Sequence, residues 1–167
     1  MVRQIFNGVY SIGTDILTKN AVKGQRVYGE KLIFNKNVEY RKWDPYRSKL
    51  AAAIKKGLKT FAFNNNTSTL YLGASTGTTI SHLSDICIDG VLYGVEVSAP
   101  MVDSLMEVAE ERENIIPILA DARKPSEYAD VGEVDVVYQD VSQPDLIRIF
   151  ILNIDKFLKK VVMHILL

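Results

Sequence analysis

From residue 68 to residue 158, short apolar runs alternate with stretches of helical period, and few architectures accommodate that pattern. The runs predict strands over 68–72, 91–95, 115–119 and 134–139, and a last one over 160–166. Between them the spacing predicts helices over 78–86, 99–111 and 145–158. Helix 99–111 is the clearest: Val102, Leu105, Met106 and Ala109 share a face, Ser98 suits an N-cap, and Pro100 suits the first turn. Alternation of this kind gives a mostly parallel sheet covered on both faces. The first 45 residues read differently. Val9–Ile12, Arg26–Tyr28 and Lys31–Phe34 are short β-type runs punctuated by Gly24, Gly29 and Asn35, with Val38–Trp43 leading out. The expected organisation is a small antiparallel β domain over 1–45 and an α/β domain over 46–167. A helix carrying Leu50, Ala53, Ile54, Gly57 and Leu58 opens the second domain and ends near Lys59.

Composition narrows the function classes. The 167 residues are 47% hydrophobic and 24% charged, which argues against disorder, and the formal net charge is zero. A free-standing nucleic-acid binder carries a basic excess, so any nucleic acid is expected to be held locally or through a partner. One cysteine, Cys87, permits no internal disulfide. A reducing, cytoplasmic compartment is therefore expected, with no secretory leader and no membrane-spanning segment.

The chemistry concentrates at strand ends. Leu70-Tyr71-Leu72-Gly73-Ala74-Ser75-Thr76-Gly77-Thr78-Thr79 reads as a buried strand entering a small-residue turn and then a helix. Gly73 and Gly77 allow tight backbone and close approach of a ligand. Backbone N–H groups near Thr78 and Thr79 would face it. The turn lacks the Gly-x-Gly-x-x-Gly fingerprint, and no Gly-Lys-Ser/Thr follows it. Alone it could be a plain strand-to-helix turn. Glu96, 23 residues after Gly73 and at the next strand end, suits both hydroxyls of a ribose. Asp121 could accept from an adenine amino group, and Asp140 ends the following strand. Glu96 alone has a structural reading as a helix N-terminal acid, and Asp121 as a helix cap or turn residue. In order, they favour adenosine without a diphosphate, which points to S-adenosylmethionine.

Ser75 has a rival reading. Gly73–Gly77 matches the nucleophile elbow of α/β-hydrolases, and Ser75, Asp140 and His164 follow that order. Against it, His164 sits in an apolar run, no oxyanion motif lies upstream, and Glu96 and Asp121 would have no task. His82 and Cys87 read as packed helix residues, and no cluster has metal-ligand spacing.

Residues 41 to 59 carry seven Lys/Arg against one acid, Asp44, interleaved with Trp43 and Tyr46. Arg41, Lys42, Arg47 and Lys49 are the candidate RNA contacts. Lys49 is singled out, because a lysine at a helix N-terminus is electrostatically misplaced.

Trp43-Asp44-Pro45-Tyr46-Arg47-Ser48-Lys49-Leu50-Ala51-Ala52-Ala53-Ile54 resembles the signature leading into the methyltransferase domain of fibrillarins. So do Leu72–Asp85, Asn114–Arg123 and Asp140-Val141-Ser142-Gln143-Pro144-Asp145. The resemblance implies an archaeal-type, S-adenosylmethionine-dependent ribose 2′-O-methyltransferase of rRNA, with tRNA as a further substrate. It implies a Rossmann-like domain behind the small β domain. It places the cofactor along Gly73, Ala74, Ser75, Gly77, Thr78, Thr79, Glu96, Val97, Asp121, Ala122, Asp140, Val141, Ser142 and Gln143. Lys49 and Asp140 would be catalytic. It also implies a box C/D particle with a Nop-type scaffold protein, a guide RNA paired to its target, and a kink-turn-binding ribosomal-type protein. Two alternatives stand beside it: a methyltransferase of small molecules or proteins, and a non-catalytic structural subunit.

The resemblance stops near Lys160. The family continues with Gly-Gly and a strand bearing a second catalytic lysine, where Val161-Val162-Met163-His164 stands here. A one-base slip accounts for this. Residues 161–167 are then expected to be an out-of-frame tail, with the last strands and that lysine missing.

Overall fold

The computed structural model describes residues 1–159, together with the backbone of Ile165–Leu166. Strands β1 (Arg3–Phe6), β2 (Val9–Ile12), β3 (Asp15–Lys19), β4 (Leu32–Asn35) and β5 (Val38–Trp43) form an antiparallel sheet in the order β1-β2-β3-β5-β4. The expected strand Arg26–Tyr28 is instead a loop. The Glu30 carboxylate accepts from the N–H groups of Val27 and Tyr28 and curls the segment into a turn. Strands β1 and β3 went unread; on β3 the buried Thr18 follows Ile16 and Leu17, which erases the period-two signal.

Helix α1 (Lys49–Lys55) follows, shorter than expected. Ser48 caps it, its Oγ accepting from the Ala51 N–H at 3.3 Å. It ends in a Schellman turn: Gly57, at φ 92°, donates to the Ile54 carbonyl, and Leu58 donates to that of Ala53. Leu58 packs back on the core from beyond the helix, so its spacing imitated another turn.

The second sheet is parallel. It comprises β6 (Thr69–Leu72), β7 (Leu92–Glu96), β8 (Ile115–Leu119), β9 (Val136–Gln139) and β10 (Ile165–Leu166), in the order β10-β9-β6-β7-β8. Helices α2 (Thr78–Ile86), α3 (Ala99–Glu110) and α4 (Leu146–Phe157) connect it. All four residues of β6 are buried, as a strand covered on both faces requires. Tyr71 packs with Trp43, Leu50, Ile80 and Tyr138 on one face, while Leu70 and Leu72 pack with Val137, Ile149 and Phe150 on the other. Pro125–Val131 forms two short 3-10 turns broken at Tyr128, which no periodicity announced. Residues 160–164 and 167, His164 among them, lie outside the described residues. The expected strand over 160–166 and the out-of-frame tail therefore fall mostly outside them as well. No helix among the described residues is long and apolar enough to cross a membrane.

The chain runs β6, β7, β8 outward to one side of β6, then crosses to β9 on the other. That reversal opens a crevice beyond the carboxyl ends of β6 and β9, where open α/β sheets bind ligands.

A charged cluster joins the two sheets. Arg41 is fully buried. Its Nε donates to Glu30 at 2.6 Å, its Nη1 to Asp85 at 2.7 Å, and its Nη2 to Ser81 Oγ at 2.9 Å. Burial would raise the Glu30 pKa, but Arg41 and the backbone N–H groups bring it below the ordinary value. Arg41 therefore has no surface with which to meet RNA, and that expectation is corrected. His82, equally buried, stacks on Trp43 with ring centroids 4.9 Å apart. Its ring nitrogens lie 2.8 Å from Thr18 Oγ1 and 2.7 Å from the Tyr28 hydroxyl.

Candidate active site

The turn after β6 is built by backbone conformation. Gly73 sits at φ 81°, and a Cβ there would lie 3.1 Å from Val141 Cγ1 and 3.2 Å from the Val141 nitrogen. It therefore lets the loop after β9 close over the turn. Ser75 is at φ 51°, uncommon for a residue with a side chain. Its N–H donates to Glu96 Oε2 at 3.0 Å, while Glu96 Oε1 accepts from the N–H groups of Val97 and Ser98. One carboxylate thus ties the turn after β6 to the start of α3, where Ser98 caps without a side-chain bond. Gly77, at φ 94°, faces Val108 and Leu105 rather than a cavity. Its glycine serves the approach of α3, which corrects its expected place against a ligand.

Two hollows meet at this edge. A cleft of about 280 Å³ is lined by Gly73, Ser75, Glu96, Val97, Asp121, Ala122, Asp140, Val141, Ser142 and Gln143. Arg123, which sequence reasoning left out of the site, lines it too. The second hollow, of about 370 Å³, lies on the other side of the turn among Arg47, Ser48, Lys49, Tyr71, Ala74, Thr78 and Thr79. Ala74, Thr78 and Thr79 thus line the second hollow and not the acidic cleft. Gly73, Ser75 and Asp140 line both.

Asp140 is the partition. Lys49 Nζ donates to its Oδ1, and the Tyr71 hydroxyl donates to its Oδ2 at 3.4 Å. Tyr71 is buried against Tyr138, with ring centroids 4.7 Å apart. Burial pushes its hydroxyl pKa well above 10, so it stays protonated and can donate. Thr79 Oγ1 donates to Ser48 Oγ at 3.0 Å, which fixes the cap of α1 to the start of α2. The Lys49 side chain remains 68% exposed. Sequence reasoning missed Tyr71 because a tyrosine in an apolar strand reads as core.

Around the mouth of the second hollow, Arg47 lies over the Tyr28 ring at 5.7 Å and Tyr46 is 95% exposed. Lys42 pairs with Asp15 at 2.8 Å. Of the expected RNA contacts, Lys42, Arg47 and Lys49 thus reach the surface.

The acidic cleft carries Glu96, Asp121 and Asp140 against one cation, Arg123, which is itself held by Asp145 at 3.0 Å. That balance suits a ligand with a net positive charge and rejects a diphosphate. S-adenosylmethionine, a sulfonium with an adenosine, fits these carboxylate acceptors. Among the described residues, which leave out His164, Ser75 shows no hydrolase partner: its Oγ lies 3.9 Å from Met101 Sδ, and Asp140 is engaged by Lys49.

A parallel sheet with this strand order, a glycine turn after its central strand and an acid at each following strand end defines a Rossmann-like methyltransferase. A sequence profile described as Fibrillarin matches residues 1–167, and the chain belongs to that family. A relative from Methanocaldococcus jannaschii, named fibrillarin-like rRNA/tRNA 2′-O-methyltransferase, is 48% identical over 95% of this chain and 72% of its own. An Aeropyrum pernix fibrillarin solved with natively bound S-adenosyl-L-methionine superposes with a TM-score of 0.88 at 42% identity, over 96% of this chain and 75% of that one. The fibrillarin of a fibrillarin/Nop5p complex gives 0.85 at 44% identity, over 94% and 72%.

Proposed function

We propose that this chain transfers a methyl group from S-adenosylmethionine to the ribose 2′-hydroxyl of rRNA and tRNA. The observation that carries this reading is the Lys49–Asp140 pair, standing where the acidic cleft meets the basic-rimmed hollow. In this reading Glu96 accepts from the ribose hydroxyls of the cofactor, and Asp121 from its adenine. When bound, S-adenosylmethionine supplies a methyl group activated by its sulfonium. The Lys49 ammonium donates to the target hydroxyl oxygen as negative charge develops there, the hydroxyl proton passes to water, and the thioether departs as S-adenosylhomocysteine. Asp140 holds that ammonium through Oδ1, while Tyr71 holds Asp140 through Oδ2. Arg47 and Lys42 meet the phosphates, and the exposed Tyr46 ring offers a stacking face.

The neutral net charge fits a subunit whose target is chosen elsewhere. The likeness to the fibrillarin of the Nop5p complex supports a Nop-type scaffold as partner. A box C/D guide RNA and a kink-turn-binding protein complete the proposed particle, in the cytoplasm of an archaeal cell. The test is reconstitution with those components and measurement of methyl incorporation at the guide-specified ribose. Lys49→Ala and Asp140→Ala are each expected to lower the rate about 100-fold or more. Transfer that ignores the guide, or survives both substitutions, overturns the reading.

A further inference from the structure

Arg123 does something at the cleft that neither the strand-end acids nor the Lys49 pair explains. Its Nε donates to Asp145 Oδ2 at 3.0 Å, and its Nη2 donates to Asp145 Oδ1 at 3.1 Å and to Gln143 Oε1 at 3.0 Å. Its Nη1 lies 3.7 Å from Asp121 Oδ1. The fork thus joins the loop after β8 to the loop after β9, and both loops line the cleft. Asp145 is the N-cap residue of α4, yet its side chain makes no capping bond. A carboxylate in that position ordinarily accepts from the helix N–H groups. Here both oxygens are turned to Arg123 instead, which holds the Asp145 carboxyl below its ordinary range.

We infer that the Arg123–Asp145 fork is a latch across the mouth of the cofactor cleft and sets how fast the bound cofactor leaves. Arg123 is a positioning residue in this role: it acts by holding two loops together. The pair is partly open to solvent, at 41% and 34% exposure, so salt weakens it. Its bidentate geometry gives it more grip than a single exposed contact.

The inference rests on the reading of this cleft as the S-adenosylmethionine site. The test uses the full chain, with S-adenosylmethionine and S-adenosylhomocysteine as probes. Calorimetry gives the affinity, and stopped-flow fluorescence gives the dissociation rate. Failure of the unaltered chain to bind either probe overturns both readings. If it binds, Arg123→Ala and Asp145→Ala are each expected to speed dissociation about 3- to 5-fold, and the double variant no more than either alone. Raising salt from about 0.05 to about 1 M should speed dissociation from the unaltered chain by a larger factor than from the variants, which keep only the screening of the cofactor's own charge. Circular dichroism and thermal melting confirm that the variants fold. Unchanged dissociation in either single variant, additive effects in the double, or equal salt dependence throughout overturns the latch while leaving the cofactor site standing.

Discussion

Lys49 and Tyr71 hold the Asp140 carboxylate from its two oxygens, Lys49 through Oδ1 and Tyr71 through Oδ2. Lys49 was legible because a cation at the start of an apolar helix runs against the helix dipole. Tyr71 was not, since nothing in Thr69-Leu70-Tyr71-Leu72 says that its hydroxyl reaches the strand end. Tyr71→Phe keeps the ring packing and removes one donor to Asp140. It should lower methyl transfer about 10-fold and leave S-adenosylmethionine affinity within about twofold, read by calorimetry beside the transfer assay. Arg41 was misread for a related reason. The basic run over 41–59 looked like one patch, but strand alternation turns Arg41 inward and Lys42 outward. Arg41→Ala strands Glu30 without its cation and leaves Asp85 only Arg112, at 3.5 Å. The expected loss is on the order of 3–5 kcal/mol, measured by urea unfolding.

Elements, more than residues, were legible where burial was two-sided. Strands β6 to β9 and helices α2 to α4 fall close to their expected spans, because apolar runs of strand length cannot be placed otherwise. The antiparallel sheet was harder to see, since its inward face carries Thr18 and Arg41 as well as Val9 and Trp43. That face meets α2 through His82, and their junction should be sensitive to acid. Burial, with Arg41 and Arg112 nearby, holds the His82 pKa well below its ordinary value, so the ring is neutral when folded. The unfolded chain takes up that proton below about pH 6.5, and the folded chain does not. Stability should therefore fall as pH drops below that point, by at most about 1.4 kcal/mol per unit from this residue. His82→Gln should be less stable at pH 8 and show a flatter decline between pH 6.5 and 5 in urea titrations.

Across the whole molecule, one thiol reports cooperativity. Cys87 is fully buried at the end of α2, and burial pushes its thiol pKa up to about 12. It should resist a thiol reagent at neutral pH, with a labelling rate that follows global opening as urea is added. Labelling at the rate of a free thiol would mean that this end of α2 opens on its own. The two sheets share one core, in which Val9, Ile16 and Trp43 pack with Ile80, Leu83 and Tyr71, so they are expected to unfold together.

The buried Arg41 cluster also bears on the order in which the protein is made. Glu30 lies 11 residues before Arg41, but Asp85 comes 44 residues after it. At translation rates of about 5–20 residues per second, several seconds separate the antiparallel strands from their second counterion. During that interval the nascent β sheet has a guanidinium on the face it must bury, only half compensated, and Trp43 has no helix to cover it. The antiparallel sheet, made before α2, is thus among the last parts to become native.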